Sequence, residues 1–288
     1  MKIFIINLER SKDRKAHMQE KLSLLEKDPL FKELDLSYSF FNAIDSKSES
    51  FKEYKAMFNP MLCYLWHGRI LIDNEIACYA SHYSLWEECV RLDEPIIVLE
   101  DNIFFEEHFL SALQDMKRTR FSFVRFFTSA RSRDKYIYKI DNSNYHYSLK
   151  NTNGTLGYYL TPFAAKAFLT QKIWDSPVDI YMEHVALHHV DNIIYKPFIV
   201  GEDSIASHST IINADGTHRA NDGGGGVIPL HYRILKPFYR TYIQIKRALF
   251  KLSYKPPRVV YKLKPLYTPK RYKITLKLHK QGNCKHTT

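Results

Sequence analysis

The sequence predicts an α/β fold followed by a basic, partly helical tail, and three observations carry that expectation. The stretch from Asp73 to Phe105 reads as a helix, a short loop and a buried strand that ends in acids. A strand, Lys2 to Asn7 (KIFIIN), stands almost at the first residue and leads through a polar loop into a helix. Charge is distributed unevenly. Residues 227–288 hold sixteen Lys plus Arg and no Asp or Glu, which leaves 26 basic against 31 acidic residues in 1–226. The body is therefore mildly acidic, and the basic character belongs to the tail. At 45% hydrophobic residues the chain can bury a sizeable core.

Taken in order, the strand Lys2–Asn7 is followed by LERSKDR and a helix from about Asp13 to Glu26, the usual opening of a nucleotide-binding α/β domain. Arg10 and Arg14 are candidates to meet phosphate and Asp13 to meet a base or ribose; the alternative is solvated charges in a first helical turn. Tyr38 to Phe41 is a second strand, and Asn42-Ala43-Ile44-Asp45 is the loop at its carboxyl end. Ser46 to Phe58 is expected to be helical. Asn59 to Arg69 is expected to be irregular and aromatic, either a lid or acceptor-side loop or plain packing.

In the Asp73–Phe105 stretch, Asp73 or Asn74 is suited to cap the helix, with Glu75 at the positive end of its dipole. Ile76, Ala77, Ala80, Tyr83 or Ser84, Leu85, Cys89 and Leu92 recur at helical spacing. Asp93-Glu94-Pro95 breaks the helix. Ile96 to Leu99 is short and wholly apolar, so a buried, parallel strand is expected. It delivers Glu100-Asp101-Asn102 to its carboxyl end, where open α/β sheets bind ligands. Three oxygen-bearing residues there suit a hard divalent cation that also touches phosphate, and an ordinary acidic turn is the other reading.

Further on, Glu106 to Lys117 is expected to be a helix and Phe121 to Phe127 a strand. Tyr136–Ile140 and Tyr145–Leu149 form a half-exposed hairpin around Asp141-Asn142-Ser143-Asn144. Asn153 to Tyr158 leads into a short strand, where its glycines mark close backbone approach or a bulge. Pro162 opens a helix to about Thr170, and Ser176-Pro177 opens another with Asp179 in its first turn. Ile193 to Val200 is the final strand. Gly223 to Gly226 is a flexible break. Beyond it, Tyr239 to Leu252 can form a helix with Tyr242, Ile245, Leu249 and Leu252 near one face. A basic amphipathic helix suits an anionic membrane surface, and packing back onto the body is the alternative.

Four cysteines, Cys63, Cys78, Cys89 and Cys284, show no metal spacing. Cys78 and Cys89 lie roughly 16 Å apart along one helix, too far for a disulfide, so a reducing, cytosolic setting is expected. Glu9 to Arg14 interrupts the apolar N-terminal run, so no signal peptide is expected. No apolar stretch is long enough to span a bilayer. The basic aromatic tail is set in no recognised nucleic-acid module and the body is acidic, so nucleic acid is not an expected partner.

Six stretches, IFIINLERSKDR, FFNAID, NEIACYASHYSLW, VLEDN, GTLGYYLTP and PVDIYM, stand in order over most of residues 1–210. Together they resemble the bacterial lipooligosaccharide glycosyltransferases of glycosyltransferase family 25, whose relatives include collagen galactosyltransferases. The resemblance implies a GT-A-like nucleotide-sugar-binding fold over residues 1–222, with a central mixed sheet flanked by helices. Residues 223–288 are then a glycine linker and a membrane-associating tail. It implies inverting transfer of a hexose, galactose first and glucose next, from a UDP-sugar to a lipooligosaccharide or lipopolysaccharide acceptor. That would place the chain in the cytoplasm, attached peripherally to the inner face of the inner membrane.

By the same resemblance, Asn7, Leu8, Arg10, Asp13, Arg14, Asp45, Ser81, His82 and Glu100 are donor contacts. Thr155, Gly157, Tyr158 and Asp179 are acceptor contacts. Asp101, Asn102 and His208 are ligands for Mn²⁺, or else Mg²⁺, with a structural role the alternative for His208. Asp101 serves the leaving group and Asp179 is the general base, with Glu183 the runner-up; the alternative for Asp179 is that it only caps its helix. The family's metal motif usually ends in two aspartates, and here the second is Asn102, which ligates without charge. The competing expectation is therefore a nucleotide-sugar- or glycan-binding protein on the same fold with weakened chemistry.

Overall fold

Lys2–Asn7 forms β1, and its alternate residues Ile3, Ile5 and Asn7 are buried, as the two-residue period of a strand requires. The computed structural model describes residues 1–129, 137–140, 142–149, 152–203 and 228–254. His208, Tyr136, Asp141 and the Gly223–Gly226 break lie outside the described residues.

The elements follow as α1 (Lys12–Leu25), α2 (Pro29–Glu33), β2 (Ser37–Asn42), α3 (Phe51–Met57), α4 (Pro60–His67), α5 (Asp73–Leu92) and β3 (Ile96–Glu100). Then come β4 (Ile103–Phe105), α6 (Phe109–Met116), β5 (Phe123–Arg125), β6 (Ile137–Lys139), β7 (Tyr145–Ser148) and β8 (Gly157–Leu160). The last are α7 (Pro162–Phe168), α8 (Val178–Met182), α9 (Val185–His188), β9 (Ile193–Tyr195), β10 (Val200–Glu202) and α10 (Leu230–Ser253).

Eight strands form one mixed sheet in the order β2-β1-β3-β8-β5-β9-β7-β6, and β10 pairs with β4 in a second, two-stranded sheet. β2, β1 and β3 are mutually parallel, so their carboxyl ends open on one side. β3 is thus parallel to β1 but antiparallel to β8 on its other edge, and the expectation of a parallel strand holds on one side only. Ile97 and Leu99 pack on the α1–α2–α6 side, while Ile96 and Val98 pack against α5, α7 and α8. All four are fully buried, each contributing about 1.5–3 kcal/mol.

Several elements differ from the sequence expectations for local reasons. Residues 59–69 hold the helix α4 rather than an irregular loop. The Asn59 side chain accepts from the N–H groups of Met61 and Leu62, Pro60 occupies the first turn, and Gly68 ends the helix at φ 82°. α3 begins at Phe51, not Ser46, because Asp45 turns the chain by accepting from the N–H of Lys47 (3.0 Å) and of Ser48 (2.9 Å). The N-terminal N–H of α5 is met by Glu75, which accepts from Ile72 N (3.0 Å) and pairs through both oxygens with Arg69. Asp73 and Asn74 do not supply that cap.

The segment 193–200 is not one strand. β9 stops before Pro197, which has no N–H to extend a ladder, and β10 joins β4 instead. The hairpin β6–β7 forms as expected, but β7 is buried throughout because β9 pairs on its second edge. α10 is longer than Tyr239–Leu252 and lies along α4.

Candidate functional site

A cleft opens at the carboxyl ends of β1, β2 and β3, where three successive loops meet one face of α5. Its lining includes Leu8, Arg10 and Arg14 after β1, Ala43, Ile44 and Ser46 after β2, and Glu100, Asp101 and Asn102 after β3. Asn74, Ala77, Cys78, Ser81 and His82 present the opposing wall from α5, at the three- and four-residue spacing of one helical face. The register that sets Ile6 beside Glu100 and Asn7 beside Asn42 is what brings these loops level.

The acids are individually held. Asp101 is 5% exposed; its carboxylate accepts from Asn7 Nδ2 (2.6 Å) and pairs with Arg14 Nη1 (3.2 Å). Burial pushes its carboxyl up, against the pull of Arg14 and Asn7. Glu100 accepts from the Thr155 hydroxyl, and His82 Nε2 stands 3.8 Å from Glu100 Oε1. Burial pushes this carboxyl up too, but His82, Thr155 and Arg14 together outweigh it and hold it below the ordinary glutamate range. The Asn102 side-chain oxygen is buried and accepts no hydrogen bond from the described residues.

The donor set is one of hard oxygens: two carboxylates and an amide oxygen on one loop. No group of three or more His, Cys, Asp or Glu among the described residues would enclose a metal unaided. Such a loop fits a cation that shares its shell with ligand oxygens, as Mg²⁺-type sites do when phosphate completes them.

Several lining residues are tied to the framework behind them. Arg10 pairs with Asp45. Ser81 Oγ accepts from Ile44 N (2.9 Å) and donates to Ala77 O, tying the loop after β2 to α5. His82 is fully buried, with Nδ1 at 2.9 Å from the Tyr158 hydroxyl, which also accepts from Trp86 Nε1 (3.1 Å). Tyr158 is therefore a core residue behind the cleft wall. Gly157 is likewise buried: a Cβ there would stand 2.9 Å from Leu99 Cδ2 and 3.0 Å from Phe126 Cδ2. Neither has surface to offer an acceptor. Asp13 is exposed on α1 and does not line the cleft.

Asp179 and Glu183 hang on the chain that approaches β8. Asp179 is half-buried; one oxygen accepts from Gly154 N (3.1 Å), the other from Ile180 N (2.9 Å). Gly154 adjoins Thr155, so Asp179 and Glu100 are joined through one short segment. Glu183 is buried, accepts from Thr152 N (2.8 Å), and lies 3.9 Å from Arg247. Burial drives its carboxyl up past the opposing effects of Thr152, Arg125 and Arg247.

Arg125 was not foreseen. It is buried in β5 and donates to Asn192 Oδ1 (2.9 Å), Gly154 O (2.6 Å) and Asp179 O (2.9 Å). Its signal in the sequence is a lone cation inside an apolar strand, FSFVRFF.

The family model described as Glycosyltransferase family 25 (LPS biosynthesis protein) matches residues 1–182. A "Glycosyltransferase 25 family member" of Anopheles gambiae is 33% identical over 190 residues, 62% of this chain and 31% of that protein. Human "Procollagen galactosyltransferase 2" is 32% identical over 118 residues, 40% of this chain and 17% of its own length. A rat protein named "Probable inactive glycosyltransferase 25 family member 3" is 30% identical over 116 residues, 39% of this chain and 19% of its own length. The chain thus spans a third or less of the length of these relatives.

Proposed function

The chain belongs to glycosyltransferase family 25, and from that premise we propose that it transfers a hexose from a UDP-sugar, with inversion, to a sugar of a lipooligosaccharide or lipopolysaccharide acceptor. Galactose is the first donor sugar to test and glucose the next. One observation carries the reading: Arg10, Arg14 and the oxygen-rich Glu100-Asp101-Asn102 loop converge at the carboxyl ends of three parallel strands. That is the place in an α/β sheet where a nucleotide diphosphate is held.

In the proposed reaction the acceptor hydroxyl attacks the anomeric carbon opposite the departing UDP oxygen. The new C–O bond forms as the old one breaks, and the bonding pair leaves with UDP. Asp179 takes the hydroxyl proton; being half-buried it is better placed than Glu183, whose carboxyl is turned to Thr152 and Arg247. Arg14 and Arg10 offset the charge gathering on the diphosphate. A divalent cation, Mn²⁺ or else Mg²⁺, adds charge neutralisation at the leaving group when bound, and Asp101 and Asn102, beside Glu100, would hold it. Thr155 and His82 fix Glu100, and Asn7 fixes Asp101, so the loop is set before the donor arrives.

The test is UDP release from a panel of UDP-sugars, with extracted glycolipid acceptors and with or without Mn²⁺. Asp101→Ala should abolish transfer while leaving the thermal melt within a few degrees of the parent. Unchanged turnover in that variant would remove Asp101 from the mechanism. A second reading, a sugar-nucleotide-binding protein with weakened chemistry, is favoured by the uncharged Asn102. UDP binding in calorimetry without UDP release would establish it.

A further inference from the structure

α10 is mounted on the body with its apolar side outward. Tyr232, Lys236, Tyr239, Ile243, Arg247, Phe250 and Tyr254 recur every three or four residues and are the half-buried positions of this helix and its C-cap. The inward contacts are largely polar and aromatic. Lys236 sits over the Tyr64 ring at 4.9 Å, and Arg240 donates to the main-chain oxygens of Trp66 (2.8 Å) and His67 (3.1 Å). Arg247 stacks on Trp66 at 4.9 Å and donates to His184 Nε2 (2.8 Å), and Tyr254 stacks on Tyr147.

Ile234, Phe238, Ile245, Leu249 and Leu252 occupy the opposite side and are 54–84% exposed. A helix serving only a protein core would show the reverse arrangement. Lys246 flanks this stripe, over the Tyr242 ring at 5.0 Å. From Val227 onward the sequence carries sixteen cations and no acid. An apolar stripe rimmed by positive charge matches one kind of partner by both polarity and sign.

We propose that α10 docks the protein on an anionic lipid bilayer, with the Ile234–Leu252 stripe inserted at the headgroup boundary and the helix's own exposed cations, Arg233 and Lys246, beside the lipid phosphates. The inward arginines then act as struts that hold the body to the docked helix. Docking is separable from the chemistry of the cleft, because none of the stripe residues lines it.

Flotation of the full chain with phosphatidylcholine vesicles, with and without phosphatidylglycerol, tests this. The parent should float with the anionic vesicles only, less at high salt as screening shortens the reach of its charges. Ile245→Asp/Leu249→Asp should weaken vesicle binding by about a hundredfold, with an unchanged circular dichroism melt and unchanged UDP-sugar hydrolysis. Three results would overturn the proposal. The parent floats with neither vesicle, or the double variant floats as strongly as the parent. Or light scattering shows a parent dimer that the variant abolishes, with no vesicle binding, so that a second copy covers the stripe.

Discussion

Asp179 accepts two main-chain N–H groups, one on each carboxylate oxygen, and connects to Glu100 of the cleft through the Gly154-Thr155 segment. The bond from Gly154 N ties its helix turn to the 152–155 segment, so a structural role and the proposed chemical one coincide in one side chain. Asp179→Asn separates them. The amide keeps one acceptor oxygen and loses basicity, so turnover should fall by roughly a hundredfold or more, the usual scale for general-base loss, while UDP binding persists in calorimetry. Glu183→Gln should leave turnover within a few-fold of the parent, since that carboxyl faces Thr152. A near-normal Asp179→Asn would move the base elsewhere. The Ser176-Pro177 start signal put Asp179 in a first helical turn; it could not say that the carboxylate accepts from Gly154, because that contact joins segments distant in sequence.

At the level of elements, the pairing of α10 with α4 rests on few groups. Arg240 satisfies carbonyls at the C-terminal end of α4, which have no partner within the helix, and Arg247 bridges Trp66 and His184. Arg247→Ala should cost about 1–2 kcal/mol, from a cation–π contact and one hydrogen bond. It should show as faster amide exchange confined to α10. Exchange unchanged there would mean that Tyr254 and Arg240 suffice. Asn59-Pro60 and Gly68 bracket α4 with local start and stop signals, but the aromatic run between them reads in the sequence as an irregular loop. What no spacing could show is which face α10 turns inward, since an arginine can stack on an indole or lie in solvent with equal local ease.

For the whole molecule, three imidazoles set the response to acid, two of them buried (His184 and His188) and one half-buried (His67). His67, His184 and His188 are each pushed down to about 3, first by burial and then, for His67 and His184, by neighbouring arginines. Folding keeps them neutral, whereas the unfolded chain takes up protons at the ordinary histidine value of about 6.5. Below that value the unfolded state binds more protons, so stability declines as pH falls from about 6.5 toward 3. Glu100 adds to the loss below the ordinary glutamate range, because its depressed carboxyl must be protonated there. The melting temperature should therefore drop steadily between pH 6.5 and 4, and His67 and His184 place that strain beside α10. A melt flat across this range would show that these rings admit protons without unfolding.

By itself the sequence determined the α/β class, the helix–strand unit from Asp73 to Glu100, and the acids delivered beyond it. Those follow from period, length and breaker residues, which act over a few positions of chain. It also pointed to Arg10, Arg14 and Glu100-Asp101-Asn102 at strand ends, whereas Leu8, Ser81 and His82 entered through the family resemblance. Only tertiary structure decided that β8 runs antiparallel to β3, that Tyr158 and Gly157 lie behind the wall, and that Arg125 ties Asp179 to Asn192. It alone decided that α10 shows its apolar side outward. Each of these depends on which distant segment takes the neighbouring place, and that is set by the packing of the whole core rather than by any local pattern.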